Sequence, residues 1–380
     1  MEVEIPDAAG SSAEPRTSPL LALPGAVAAT GPDAGVAAHY GDPIREQRAL
    51  ADGRAVVDLS NRGVVRVGGP DRLSWLDSIT SQRLTGLPAF GSAETLLLDP
   101  SGRIEHAAAV LDDGEATWLL VEAAEAAPLA AFLDRMRFLL RVDVADRSDD
   151  TAVLASLGDP VLPGVPVSGV WRDPWQHGSA GGVTHAAEPH PGEGFPLSLL
   201  LVPRDELPGV ADLVVAGRLL LAGTLALEAL RIAAWRPRFA LEVDAKSIPH
   251  ELDWLRSAVH LTKGCYRGQE TVAKVHNLGR PPRRLVQLDL DGSEAVLPAP
   301  GDAVLHEERP VGVVTSVAVH HEDGPIALAV VKRSVPEDAV LTVGTADGAV
   351  AGAQRVIVPA GAGPAVAVPR LPRLGAVHRG

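Results

Sequence analysis

The segment Lys263-Gly264-Cys265-Tyr266-Arg267-Gly268-Gln269-Glu270 contains the only cysteine of the 380-residue chain. A lone cysteine cannot form an intramolecular disulfide, and cysteine spacing cannot build a zinc or iron–sulfur site here. The thiol is therefore either a small buried apolar group or a placed reactive group. Positive charge and the amino end of a helix favour a thiolate. Lys263, Arg267 and a helix predicted to begin just downstream can supply both.

Two glycines frame this thiol. Gly264 and Gly268 permit backbone angles that are closed to other residues and let a ligand or another chain come close. This polar, glycine-flanked setting favours a functional Cys265 over an inert one. We predict Cys265 as the catalytic thiol and Lys263 as the cation that keeps it reactive. The structural alternatives are a small core residue for Cys265 and a surface cation for Lys263.

The octapeptide resembles the signature of the YgfZ-type folate-binding proteins. These are relatives of the glycine-cleavage aminomethyltransferase (GcvT) and are linked to iron–sulfur cluster maintenance. Further motifs of the family occur in the family's order, and the resemblance runs from about residue 35 to about residue 360. These motifs are Val57-Asp58-Leu59-Ser60, Leu98-Asp99-Pro100-Ser101-Gly102-Arg103-Ile104, Ile248-Pro249-His250-Glu251-Leu252 and Asn277-Leu278-Gly279-Arg280.

The residue pattern predicts an α+β fold. Strands and helices alternate without a regular βαβ rhythm, and after Pro281-Pro282 the apolar residues Val286, Leu288 and Leu290 alternate with polar ones. The resemblance implies a GcvT-like arrangement of three domains around a central folate channel, with a C-terminal β-barrel. We predict a disordered tail over 1–35, a folate-binding region of two intertwined subdomains over 36–280, the barrel over 281–362 and a loose tail over 363–380.

The resemblance implies tetrahydrofolate, or a one-carbon derivative of it, as the cofactor. A pterin ring needs a carboxylate or amide opposite its donor and acceptor edge, and the acidic tail needs a cation. The candidates are Glu242, Glu251 and Asp253 for the ring edge, Arg231, Arg280 and Arg284 for the tail, and Tyr266 and Gln269 beside the thiol. The structural alternative for the charged candidates is a surface charge or an ion pair. For Tyr266 it is a core ring, and for Gln269 a helix start.

Two departures from the aminomethyltransferases bear on catalysis. Their Arg-x-Glu-Ala-Gly run, which provides a folate-contacting carboxylate, corresponds to Arg231-Ile232-Ala233-Ala234-Trp235, which has no glutamate. Their acidic pair after a Gly-x-Ile turn includes the catalytic aspartate and corresponds to Glu105-His106. His106, or Glu105 after a one-residue shift, stands in place of that acid. Both departures argue against amine transfer by the parent mechanism.

Composition excludes several other classes of protein. A formal net charge of −14 argues against a broad nucleic-acid-binding surface. No run approaches the roughly 20 uninterrupted apolar residues of a membrane helix, and the acidic start does not resemble a secretory signal. One cysteine and no export signal predict a cytoplasmic location. The histidines lack metal-binding spacing, so we predict no metal site.

Our first hypothesis is a tetrahydrofolate-binding protein that supports the assembly or repair of iron–sulfur clusters, with Cys265 as its key thiol. Its expected partners are folate and iron–sulfur client or assembly proteins. One alternative is a folate-dependent aminomethyltransferase or demethylase of the glycine-cleavage type. Another is a non-catalytic folate-binding scaffold. The sequence does not predict the oligomeric state.

Overall fold

A computed structural model describes residues 16–159, 162–293, 296–346 and 348–363. The helices are α1 (Pro43–Ala51), α2 (Arg72–Ile79), α3 (Ala126–Met136), α4 (Leu207–Val215), α5 (Thr224–Ala233), α6 (Phe239–Glu242) and α7 (Gln269–Leu278). Across these ranges, no helix has the length and apolar character needed to cross a membrane.

The strands up to the last connection before the barrel are β1 (Val27–Ala28), β2 (Ala37–His39), β3 (Ala55–Asp58), β4 (Gly63–Gly68), β5 (Gly91–Leu98), β6 (Ile104–Asp112), β7 (Ala116–Val121), β8 (Asp143–Asp146), β9 (Thr151–Leu157), β10 (Gly169–Arg172), β11 (Leu197–Pro203) and β12 (Leu220–Ala222). The barrel strands are β13 (Arg283–Leu290), β14 (Ala303–His306), β15 (Arg309–His320), β16 (Gly324–Lys332), β17 (Val340–Thr345) and β18 (Gly348–Val356).

Two five-stranded sheets precede the barrel, with strand orders β10-β11-β9-β3-β12 and β5-β6-β7-β4-β8. The chain leaves the first sheet after β3, completes the second sheet, and returns at β9. Strand β9 shows why the first sheet is buried on both faces. Its residues Val153 and Ala155 share a core with Leu111 of the second sheet, whereas Ala152 and Leu154 share a core with α4. Alternation along one strand therefore joins two layers.

The C-terminal strands close into a barrel in the order β13-β16-β15-β14-β17-β18. Val286, Leu288 and Leu290 all point into the barrel core, as their alternation predicts. Leu285, which precedes them, packs outward against a core that also contains Trp254. The predicted α+β class and the C-terminal β-barrel are confirmed.

The N-terminal segment corrects our prediction of a disordered tail over 1–35. Leu20 is fully buried in the core beside α4, and the carboxylate of Asp33 lies 2.7 Å from Nη2 of Arg238. Composition misled us because a few long-range contacts order this segment, and they leave no periodic pattern in the sequence. Residues 1–15 of that predicted tail, and 364–380 of the C-terminal one, lie outside the described residues.

Candidate functional site

Lys263 anchors the loop that carries Cys265. Its ammonium donates hydrogen bonds to the backbone carbonyls of Asp77, Thr80 (2.7 Å) and Gln82 (2.9 Å), at and beyond the end of α2. The side chain is only 1% exposed, and burial lowers the pKa of Lys263 although the Asp77 carboxylate opposes this. A cation enclosed by carbonyls at a helix C-terminus is a structural group. These contacts give no support to the predicted role of Lys263 in activating the thiol.

Tyr266 and Gln269 also serve the loop. The Tyr266 ring is buried, with the Lys263 ammonium 5.3 Å from its centre, and burial raises the pKa of Tyr266 to about 12. The Gln269 amide approaches the carbonyls of Lys263 and Gly264 at 3.4 Å, which ties the start of α7 to the loop. The Tyr266 hydroxyl is buried without a hydrogen-bond partner among the described residues. The predicted contact of both side chains with folate stays a prediction.

The Cys265 side chain is exposed, and the helix predicted just downstream is confirmed as α7. Gly268 caps this helix with φ of 83°, and a Cβ there would lie 2.6 Å from the Asp99 carbonyl oxygen. Only glycine fits such a position. At Gly264 a Cβ would have no neighbour within 4 Å, and the backbone is not left-handed. Gly268 therefore uses the backbone freedom of glycine, whereas Gly264 does not.

A cavity of about 150 Å³ lies between the two five-stranded sheets and α5. Aromatic side chains form part of its wall: Trp171, Phe195, Phe239 and Trp254. Two of these rings are fixed, because Trp171 donates to a β5 carbonyl at 2.6 Å and Trp254 donates to Glu94 at 3.0 Å. Flat apolar walls with a few oriented polar groups suit a planar heteroaromatic ligand.

Charged side chains complete the cavity wall: Arg62, Arg231, Arg236, Arg238, Glu94, Glu122 and Glu228. Arg236 lies 2.7 Å from Glu94 and 2.8 Å from Asp173. Burial raises the pKa of Asp173 to about 6 despite this guanidinium. The remaining Nη1 of Arg236 is buried without a hydrogen-bond partner among the described residues.

Arg238 joins three carboxylates on another side of the cavity. Its guanidinium binds Asp33 at 2.7 Å, Glu122 at 2.9 Å and Glu228 at 3.0 Å. Burial disfavours the ionised forms of both glutamates, but the surrounding arginines outweigh it and lower each pKa to about 2. These acids are therefore ionised, paired groups at neutral pH.

Of the predicted folate contacts, the structure brings Arg231 and Glu242 together at 3.0 Å. Arg231 lines the cavity, and Glu242 lies behind it. The Glu242 carboxylate also accepts from the Arg238 backbone N–H at 2.7 Å and from the hydroxyls of Thr315 (2.9 Å) and Ser316. The barrel thus contributes to the same charge network through β15.

Glu251, Arg280 and Arg284 do not line the cavity. Glu251 is fully buried and pairs with Arg283 at 2.7 Å, and Arg280 is exposed beyond α7. Arg284 is fully buried in the barrel, where it donates to the Gln354 amide oxygen at 2.9 Å. The barrel encloses its guanidinium away from the cavity, and the contact of Arg284 with an acidic tail stays a prediction.

Asp253, the other candidate for the ring edge, is also away from the cavity. It accepts from the His185 backbone N–H at 2.9 Å and from the Thr184 hydroxyl at 3.2 Å. Burial raises its pKa to about 7.

Within the described ranges, no cluster of three or more His, Cys, Asp or Glu side chains could hold a metal ion.

The two residues that stand in place of the catalytic acid do not line the cavity either. The register of β5 and β6 shifts at Glu105, which is left unpaired in a β-bulge. Its carboxylate pairs with Arg267 at 2.7 Å. His106 contacts the carboxylate of Glu125 instead. Neither alignment therefore supplies an acid at the cavity.

Glu94, Arg236 and Arg238 line the cavity but are not among the site residues that the sequence predicted. A usable signal was present for Glu94, since an acidic residue within the apolar run of β5 requires a buried partner. Arg236-Pro237-Arg238 follows a helix that already contained the candidate Arg231, so two more cations at that helix end were visible too. Their convergence on one cavity depends on tertiary structure.

Similar proteins agree with this architecture. The family described as the glycine cleavage T-protein C-terminal barrel domain matches residues 283–359. A putative chloroplastic transferase of Arabidopsis thaliana is 26% identical over 292 residues, which cover 74% of this chain and 66% of the plant protein. The chain thus spans about two thirds of that relative's length. An aminomethyltransferase of Synechococcus sp. (strain CC9902) is 27% identical over 292 residues, or 72% of this chain and 78% of that protein.

The fold has a solved counterpart. The crystal structure of the glycine cleavage system aminomethyltransferase T from Bartonella henselae superposes with a TM-score of 0.68 at 17% identity, covering 87% of this chain and 92% of that one. At this identity the likeness shows the fold, and the predicted GcvT-like arrangement is confirmed. The chain is thus similar to proteins of the GcvT-like aminomethyltransferase superfamily in its barrel domain, in its sequence and in its fold.

Proposed function

We propose that the protein binds tetrahydrofolate, or a one-carbon derivative of it, in the central cavity and acts in folate-dependent one-carbon transfer. The unpartnered Nη1 of Arg236 carries this proposal. Arg236 is 8% exposed and lines the cavity beside Trp254. A buried donor without an acceptor costs about 1–3 kcal/mol, and a ring carbonyl or carboxylate of a bound ligand would supply the acceptor.

Glu94 is the second residue that would hold the ring. Its carboxylate accepts from Arg236, Trp254 and Ser257, which fixes its direction. A carboxylate has about four acceptor sites, so one remains for an amino group on the ring edge. When bound, tetrahydrofolate supplies nitrogens that carry a one-carbon unit, and the protein orients the ring and excludes water.

Transfer of a one-carbon unit from an amine is the reaction class we propose first. The similar proteins named transferase and aminomethyltransferase support it. The cavity carboxylates Glu94, Glu122 and Glu228 are each paired with arginine. The protein therefore contributes chiefly by positioning the reacting groups, which is a large effect in its own right.

Calorimetry with tetrahydrofolate tests the pocket. Ala109 lines the cavity, so Ala109→Phe should fill it and abolish measurable binding, whereas the same change at the exposed Ala245 should leave binding unchanged. Equal binding by wild type and Ala109→Phe would remove the cavity as the site. Formation of methylene-tetrahydrofolate and ammonia from an aminomethylated carrier, or of 5-methyltetrahydrofolate and the demethylated amine from an N-methylated amine, then tests transfer. Binding without turnover of either substrate would favour the non-catalytic scaffold.

A second candidate function is support of iron–sulfur cluster assembly or repair through Cys265. The observation that favours it is an exposed thiol on a loop held rigidly by Lys263 and Gln269. Cys265→Ala should then fail to restore cluster-dependent enzyme activity in cells lacking the protein. Full rescue by Cys265→Ala would contradict this function and leave the folate proposal untouched.

A further inference from the structure

Every donor of the Arg238 guanidinium is already in use. Nε and Nη2 bind Glu122 at 2.9 and 3.0 Å, Nη1 and Nη2 bind Asp33 at 2.9 and 2.7 Å, and Nη1 binds Glu228 at 3.0 Å. An arginine has five N–H donors. Arg238 lines the cavity, yet it cannot bind an acceptor on a ligand unless one of these carboxylates withdraws.

The three carboxylates differ in how firmly the fold holds them. Glu228 lies within α5, and Glu122 directly follows β7, so both belong to the central elements. Asp33 lies in a short turn between Gly31 and Gly35. The φ values of these two glycines, 61° and 98°, lie in the left-handed region that glycine adopts without strain. Asp33 is the carboxylate whose withdrawal would leave both sheets and all helices intact.

Most backbone hydrogen bonds of this turn are local, and one, from Ser18 N to the Gly35 carbonyl at 2.8 Å, joins it to the preceding N-terminal segment. Asp33 N donates to the Thr30 carbonyl at 3.3 Å, and Val36 N donates to the Asp33 carbonyl at 3.4 Å. From the body of the protein, the Asn61 amide donates to the Pro32 carbonyl at 3.2 Å, besides the ion pairs of Asp33 with Arg62 and Arg238. The turn belongs to neither five-stranded sheet, so its displacement would break few hydrogen bonds to the body of the protein.

Charge balance favours an exchange of carboxylates. The connected cluster contains the guanidiniums of Arg62, Arg231 and Arg238 and the carboxylates of Asp33, Glu122, Glu228 and Glu242. It thus holds one more acid than base. Addition of another anion would increase this excess, whereas replacement of Asp33 by a ligand carboxylate leaves it unchanged.

We propose that Asp33 is a specificity-determining residue of the cavity: its carboxylate occupies the place on Arg238 that the carboxylate of an anionic ligand takes. This inference rests on the proposed function and extends it to the acidic tail of the folate. Binding of a ligand with a carboxylate displaces the turn that carries Asp33. A pterin without that tail binds and leaves the turn in place.

The test compares tetrahydrofolate with 6-methyltetrahydropterin, which lacks the glutamate tail. Asp33→Asn keeps the shape of the side chain and removes the competing charge. Its tetrahydrofolate dissociation constant should fall about fivefold or more, in the range of ordinary coupling between sites, whereas that of the pterin should stay within about twofold. Asp149→Asn is the matched control, because it removes an exposed acid paired with Arg16 of the same segment and should change neither constant.

The other possible outcomes would overturn the inference about Asp33. Equal weakening of both ligands by Asp33→Asn would make Asp33 a structural clamp and overturn the inference, as would no change in either constant. If wild type binds neither probe, the proposed function falls as well.

Hydrogen exchange on the wild-type protein provides a second test that needs no variant. Amides of residues 29–37 should exchange faster with tetrahydrofolate than with the pterin, and equal exchange would also overturn the inference.

Discussion

Replacement of Lys263 decides between the role that the sequence predicts for it and the role that the structure supports. Lys263→Met preserves most of the side-chain volume but removes the ammonium that binds the carbonyls of Asp77, Thr80 and Gln82. Each hydrogen bond from a charged donor contributes about 1.5–3 kcal/mol to the unfolding free energy. Removal of one partner of a buried ionic interaction costs about 3–5 kcal/mol in total. Because these acceptors lie at the end of α2, where carbonyls lack helical partners, we expect a loss of about 4 kcal/mol in unfolding free energy.

Urea unfolding at neutral pH measures this loss. Lys274→Met is the matched control, since Lys274 is exposed on α7, and its unfolding free energy should stay within about 0.5 kcal/mol of wild type. Suppose instead that Lys263→Met is as stable as wild type but loses every activity that depends on Cys265. Lys263 would then act on the thiol, and the structural account of the loop would be refuted.

Three further substitutions test other positions that the structure describes. Gly268→Ala should lower the unfolding free energy by about 2 kcal/mol or more through left-handed strain and overlap with the Asp99 carbonyl, whereas Gly264→Ala should be nearly neutral in the same urea assay. The pKa of Asp253 is raised to about 7 by burial, so its contribution to stability is full below about pH 4 and is lost as the pH rises to 7. Asp253→Asn should remove this slope and gain up to about 4 kcal/mol at pH 8 in pH-dependent unfolding; an unchanged slope would contradict the assignment. Arg284→Met should leave tetrahydrofolate affinity unchanged and stability unchanged or higher, because two guanidinium nitrogens of Arg284 are buried without partners among the described residues; weaker binding in calorimetry would support the predicted folate contact.

Local patterns predicted the elements of the fold well. The alternation of Val286, Leu288 and Leu290 depends only on the period of a strand, and it identified the barrel correctly. The motif around Cys265 likewise predicted a helix that begins just after Gly268. Both predictions concern neighbours in sequence, for which the spacing of residue types determines the geometry.

Partners that are distant in sequence account for the errors. Lys263 reads as an activating cation beside Cys265, but its ammonium turns toward carbonyls almost two hundred residues earlier in the chain. Asp33 reads as part of a tail, but its partner Arg238 lies beyond both sheets in sequence. No composition or period encodes such a pair, because each side chain alone is equally compatible with a solvated surface charge.

The structure also changes the relation between the two candidate functions. Our first hypothesis treated Cys265 and folate as parts of one centre, but Cys265 does not line the cavity, and its loop docks against α2 and the β5–β6 turn. Tyr266, next to the thiol, and Trp254 of the cavity wall belong to one apolar core. A one-carbon transferase needs the cavity and no thiol, whereas a thiol-dependent role in cluster maintenance needs the exposed loop. The functions are therefore not competing interpretations of one site, because each one depends on a different place in the protein.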